Sequence, residues 1–155
     1  IQGRVYIAND NADGQVVLSG EIKSINFICE HFRDYGLKRA IKLPVSAPFH
    51  CELINSASIK LENAMKHQKF NEFIFPLYSN VTAEPCSNLN IKELLVRQVV
   101  SRVKWREIIE NMIRDDVDFF IEIGPGNVLT NLIRRIDKNV NSISISSVED
   151  LKKLQ

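Results

Sequence analysis

The spacing of apolar residues changes period several times along the chain, and each change marks an element. "RVYIAND" at 4–10 reads as a strand running into polar loop residues. "NADG" at 11–14 reads as a turn, because Asn, Asp and Gly tolerate its backbone angles, and "QVVLSG" at 15–20 as a second strand. From about Glu21, the residues Ile22, Ile25, Ile28, Cys29 and Phe32 recur at helical spacing until Gly36 stops the helix. Ile41, Leu43 and Val45 then alternate with Ala40 and Lys42, a period of two that predicts a strand over 38–45.

Beyond residue 45 the pattern alternates between helix and strand. A helix is predicted from about His50 to Gln68, with Ile54, Ala57, Leu61, Ala64 and Met65 on one face. "EFIFPLYSNV" at 72–81 is almost continuously apolar, as in a buried parallel strand. "NIKELLVRQVV" reads as a helix with Asn90 as its cap, and Trp105, Ile108, Ile109, Met112 and Ile113 form a stripe assigned to core packing. "VDFFIEIG" is a strand with Val117, Phe119, Ile121 and Ile123 on one face. The helix after it turns Val128, Leu129, Leu132, Ile133 and Ile136 inward, before a last strand "SISIS" and a short helix "SVEDLKKL". This order predicts an α/β fold, its sheet covered on both faces.

Composition narrows the function classes. Twenty Lys and Arg against 19 Asp and Glu leave a net charge of +1, which argues against a nucleic-acid-binding protein. The apolar runs are too short to span a bilayer. Cys29, Cys51 and Cys86 show no metal-ligand spacing, and an odd number without a secretory leader fits a reducing, cytoplasmic setting. The chain starts with Ile1 rather than Met, as a piece of a longer protein would.

Two stretches offer chemistry. In "LPVSAPFHCELI" an apolar run stops at Ser46, crosses a proline and delivers Phe49 and His50 to the start of a helical pattern. A histidine at a helix N-terminus is expected to stay neutral and available as a base, the alternative being a capping or packed histidine. Cys51 points about a hundred degrees away on a helix, so it reads as packing rather than as a partner nucleophile, and His31 and His67 read as surface residues. A serine elbow of the G-x-S-x-G kind is absent. In "IEIGPGNVL" a glycine-flanked turn precedes a helix and offers N–H groups to an anion, but it lacks both G-x-G-x-x-G and the Walker lysine, so turn geometry is the simpler reading.

Five blocks in order, "GQVVLSG", "KRAIKLPVSAPFH", "SNVTAE", "LLVRQVVSRVKWREIIENM" and "FFIEIGPGNVLTNLIRRI", resemble the second half of the malonyl-CoA:acyl carrier protein transacylases of bacterial fatty-acid synthesis. The resemblance implies that residues 1–45 are the last part of a ferredoxin-like subdomain. Residues 46–155 would be the C-terminal part of an α/β-hydrolase-like acyltransferase domain. It implies ping-pong transfer of malonyl from coenzyme A to the phosphopantetheine thiol of acyl carrier protein, with no metal or other cofactor. His50 closes the "SAPFH" motif as the catalytic base, and Gln98 matches the position whose backbone carbonyl holds the histidine's other nitrogen. Phe49 matches a bulky residue that crowds the acyl α-carbon, while Asn9, Asn11 and Gln15 match polar positions near the cleft. Ala12 and Asp13 depart from the Ser-Pro usual before "GQVV". The family's nucleophilic serine, its malonyl-binding arginine and its N-terminal oxyanion loop lie upstream, outside these 155 residues. The chain is therefore expected to need a separate N-terminal half, and to be inactive alone. The rival readings are a non-catalytic remnant serving as a binding or structural module and a nucleotide-binding domain using the glycine turn.

Overall fold

A computed structural model describes residues 3–154. The chain opens with β1 (Val5–Ala12) and β2 (Gln15–Gly20), an antiparallel hairpin closed by the predicted turn at Gly14. Two irregularities in its register, between Ile7 and Asn9 and between Asp10 and Ala12, bend β1. Ala8, Asp10 and Ala12 point inward, while Asn9 and Asn11 are half-buried on the other face. Helix α1 (Ile22–Glu30) and a 3-10 turn (Phe32–Tyr35) follow, ending at Gly36 in the left-handed conformation glycine adopts freely.

The strand predicted over 38–45 does not form. Ile41, Leu43 and Val45 are exposed, and a Val45 N–H to Leu43 carbonyl bond of 2.9 Å folds the backbone back on itself. The alternation writes a face, but a strand also needs a neighbour to complete its ladder, and none lies beside this segment among the described residues. The long strand predicted over 72–81 shrinks for the same reason. Only β3 (Leu77–Tyr78) remains, paired with β4 (Pro85–Cys86), and Ile74 and Phe75 face outward.

The helix predicted from His50 begins later. A 3-10 turn (Glu52–Ile54) leads into α2 (Asn55–Met65), which buries Ser58 and Met65 but exposes Ala57. Helices α3 (Ile91–Val100) and α4 (Trp105–Arg114) match their predicted stripes, with Ile91, Leu94, Ile108 and Ile109 buried. Asn90 does not cap α3. Its side chain accepts from the Ser87 N–H at 2.9 Å and closes the preceding turn instead.

β5 (Phe119–Ile123) and β6 (Asn141–Ile145) pair in parallel, joined by α5 (Val128–Ile136). A 3-10 segment (Glu149–Leu154) ends the described chain. The core gathers Ile109, Phe120 and Ile133, with Trp105, Met112, Val117 and Ile136 packed around them. The predicted double cover is therefore only half present. The inner face of β5 is closed by α4 and α5, whereas Phe119, Ile121 and Ile123 lie on an open face, and Val128 and Leu129 at the start of α5 are exposed rather than inward.

Candidate active site

The punctuation around His50 is a tight reversal. The Phe49 N–H donates to the Ala47 carbonyl at 3.0 Å, and the Cys51 thiol donates to the Pro48 carbonyl at 3.1 Å. Cys51 is 1% exposed, so it anchors the turn in the interior, and its reading as packing holds. Between them His50 takes φ 58°, a left-handed conformation costing a non-glycine residue about 1–3 kcal/mol. That reversal leaves the imidazole half-buried and Phe49 exposed beside it.

His50 Nδ1 lies 3.0 Å from the backbone carbonyl of Gln98. Gln98 sits in the last turn of α3, where carbonyls have no later N–H of the helix to pair with. The ring N–H fills that vacancy, so the neutral ring carries its proton on Nδ1 and presents the Nε2 lone pair. The helix beside the ring is not the one expected from sequence. The helix end against the ring is the negative C-terminus of α3 rather than the positive N-terminus of α2, which starts at Asn55. Ser58 reinforces the seat by donating to the Val96 carbonyl at 3.1 Å, tying α2 to α3. Ser58 carried no sequence signal beyond being a small residue one turn before Leu61.

The hairpin meets this region at its other end. Tyr6 donates to Glu52 at 3.4 Å, two residues past His50. Further along β1, the Asp10 N–H donates to the Val103 carbonyl at 2.9 Å and the Val103 N–H to the Ala8 carbonyl at 2.8 Å. The guanidinium of Arg106 grips Asp10 with two bonds, of 3.1 and 2.8 Å, and holds that carboxyl below its ordinary range. Strand β1, with Asn9 and Asn11, is thus locked to the segment that follows the Gln98-bearing helix. Sequence reading missed this pair, since its members lie 96 positions apart. Gln15 does not join His50. It accepts a hydrogen bond from Arg135 of α5.

The glycine-flanked turn is not an anion cradle. Gly124 and Gly126 have φ 143° and 90°, so both serve the backbone of the turn. The N-terminus of α5 is already occupied by the Glu122 carboxylate, which accepts from the Leu129 N–H at 3.1 Å and from the Thr130 N–H and hydroxyl at 2.8 Å each. Burial pushes the Glu122 carboxyl up, but these donors, Thr130 first, outweigh it and bring it below its ordinary value. A nucleotide phosphate would have to displace that charge. Among the described residues no three His, Cys, Asp or Glu side chains cluster as metal ligands, and no helix is long and apolar enough to cross a membrane.

No family model matches the chain. It is 38% identical over 149 residues, 96% of its length, to the malonyl CoA-acyl carrier protein transacylase of Bacillus subtilis, of which that stretch is 47%. Among solved structures it is similar to the acyl-carrier-protein S-malonyltransferase of Bartonella henselae, at 42% identity and a TM-score of 0.92 over 99% of this chain and 49% of that one. It is also similar to a malonyl-transacylase solved in complex with its type II polyketide-synthase acyl carrier protein, at 33% identity and a TM-score of 0.93, covering 97% of this chain and 49% of that one. The chain spans about half the length of the curated relatives it matches.

Proposed function

We propose that this chain belongs with the malonyl CoA-acyl carrier protein transacylases, being 38% identical to one of them over about half its length, and that it supplies the histidine side of their active site. The observation that carries the reading is the His50 ring, half-buried and oriented through Nδ1 by the Gln98 carbonyl. That arrangement leaves Nε2 as a base for a hydroxyl or thiol. The nucleophilic serine comes from the half of the fold outside these 155 residues, which we take to be the N-terminal half.

In this scheme the serine Oγ attacks the thioester carbonyl of malonyl-CoA as its proton passes to Nε2. The C–S bond then breaks, and the imidazolium returns the proton to the coenzyme A thiolate. The phosphopantetheine thiol of acyl carrier protein next gives its proton to Nε2, attacks the malonyl-serine ester, and the serine oxygen leaves with that proton. The Gln98 carbonyl fixes the tautomer without itself accepting a proton, and the negative end of α3 supports the imidazolium between steps. No metal or further cofactor takes part.

Phe49, exposed beside the base, would crowd a substituent on the acyl α-carbon, a discrimination worth about 1–3 kcal/mol per methyl. Asn9 and Asn11 would line the cleft from the half-buried face of β1. Gln15 contacts substrate only if its bond to Arg135 opens. Residues 1–45 would complete a ferredoxin-like subdomain and 46–155 an α/β-hydrolase-like domain. The acyl carrier protein as partner is supported by the complex of the polyketide-synthase relative with its own carrier. We place the reaction in the cytoplasm.

The test is reconstitution. The chain is mixed with the unmatched half of the Bacillus subtilis relative, and malonyl transfer from coenzyme A to a phosphopantetheinylated carrier is followed. Each half alone is expected to be inactive and the mixture active. A mixture that assembles but transfers nothing would overturn the reading.

A further inference from the structure

The bond that orients His50 has two ends, and they are held in different ways. On the histidine side the reversal is closed locally. The Cys51 thiol, on a residue 1% exposed, donates to the Pro48 carbonyl at 3.1 Å and anchors the turn that carries the ring. On the acceptor side the Gln98 carbonyl rides on α3, and its distance from the ring depends on how α2 and α3 pack. Apolar contact fixes that distance poorly, because burial has no preferred direction. A hydrogen bond does have one. Ser58 supplies it from the inner face of α2, where it lies with Leu61 and Met65. The residue is 6% exposed, and its hydroxyl donates to the Val96 carbonyl at 3.1 Å. A second polar link between the two helices, from Lys92 Nζ to the Lys66 carbonyl at 3.4 Å, is exposed and lies at the far end of α2.

Packing does not call for a serine there. An alanine would fill nearly the same volume, and a buried hydroxyl costs free energy unless it is bonded. Nor does α3 need the donor. Val96 lies one turn before Val100, the last residue of α3, so its carbonyl already accepts within the helix, whereas that of Gln98 does not. The bonds from Ser58 to Val96 and from His50 to Gln98 close a short ring, which runs from His50 to Ser58 on one side and from Val96 to Gln98 on the other. From this ring we infer that Ser58 is a positioning residue: its hydroxyl sets α2 against α3 and thereby decides which nitrogen of His50 carries the proton. With the bond made, the Gln98 carbonyl takes the Nδ1 proton and Nε2 keeps its lone pair. Without it the helices settle on apolar contact alone, the Gln98 carbonyl turns to water, and the ring exchanges between its tautomers. Ser58 acts through Gln98 and not on a reacting atom. That the tautomer matters to acyl transfer rests on the functional reading above; that Ser58 controls the tautomer does not.

The experiment uses the full chain, isotope-labelled, at a pH alkaline enough to keep the ring neutral. Long-range proton–nitrogen correlation spectra report which nitrogen of His50 is protonated, and carbonyl carbon shifts report the bonds at Val96 and Gln98. The wild type is expected to hold the proton on Nδ1. Ser58→Ala should lower the ratio of the Nδ1–H to the Nε2–H form about threefold to tenfold, the loss of one ordinary hydrogen bond, and should move both carbonyl signals. Ser142→Ala is the control. It removes the hydroxyl of another serine 6% exposed, one that donates to the Thr130 carbonyl at 3.5 Å, and should leave the His50 ratio unchanged. Urea unfolding checks that each variant folds. Should Ser58→Ala fail to fold, Ser58→Cys, which keeps the volume with a weaker donor, is expected to move the ratio the same way by less. A ratio that the folded Ser58 variant leaves unchanged, or that Ser142→Ala moves as far, would overturn the inference. So would a wild-type ring protonated on Nε2. The spectra are read without acyl transfer, so an inactive reconstitution would refute the catalytic reading and leave the role of Ser58 standing.

Discussion

Phe119 and Phe120 are neighbours of identical chemistry on one strand, and they meet opposite fates. Phe120 is 9% exposed and packs with Ile109 and Ile133, while Phe119 turns to the open side at 43%. Phe119, Ile121 and Ile123 make the more apolar face of β5, since Phe120 shares its face with Glu122, yet among the described residues it is the Phe120 side that is covered. The comparison teaches that apolar patterning marks a face without saying what covers it. The same lesson applies to Ile41, Leu43 and Val45, which alternate like a strand and lie exposed.

The sharpest way to break that comparison is to truncate both faces. Phe120→Ala should destabilise the chain by about 3–5 kcal/mol in urea unfolding, because it opens a cavity in the core shared with Ile109 and Ile133. Asp10→Ala should cost less, about 1–3 kcal/mol, since it strands a guanidinium that keeps partial access to water. Glu122→Gln should cost about 0.3–1 kcal/mol by removing a charge from the N-terminus of α5. Ile123→Ser, on the open face, should change the isolated chain by no more than about 0.5 kcal/mol. An Ile123 effect as large as that of Phe120 would mean that the outer face is closed within the chain.

Acid sharpens the same picture. Asp10 and Glu122 both titrate below their ordinary values in the folded chain, Asp10 through Arg106 and Glu122 through the donors of α5 despite its burial. Their contribution is complete above the unfolded carboxylate range, near pH 4, and is lost as pH falls through the lowered folded values. Urea midpoints should therefore fall as the solution is acidified below about pH 4, and Asp10→Asn should flatten that slope.

The elements legible in sequence were those whose partners lie inside the chain. The β1–β2 hairpin, α3, α4, β5, α5 and β6 follow their periodicities because each finds at least one packing or pairing partner among the described residues. The segments 38–45 and 72–81 were misread because a strand is a statement about a neighbour as well as about a period. At the site, His50 was marked by its proline and its position, and Gln98 only by resemblance, since a backbone carbonyl has no side-chain signature. The start of the helix after His50 is displaced for a related reason. His50 is itself left-handed and a 3-10 turn follows it before α2, and neither feature is written in apolar spacing.

The central claim is that His50 is the base of a site shared between two halves of one fold. The direct measurement is the rate at which malonyl-CoA acylates the serine of the complementary half, read by mass spectrometry in single turnover with wild-type chain and with His50→Ala. The account predicts that both chains assemble equally well and that the substitution slows acylation by about a hundredfold to ten-thousandfold. Equal rates from the two assembled complexes would contradict it.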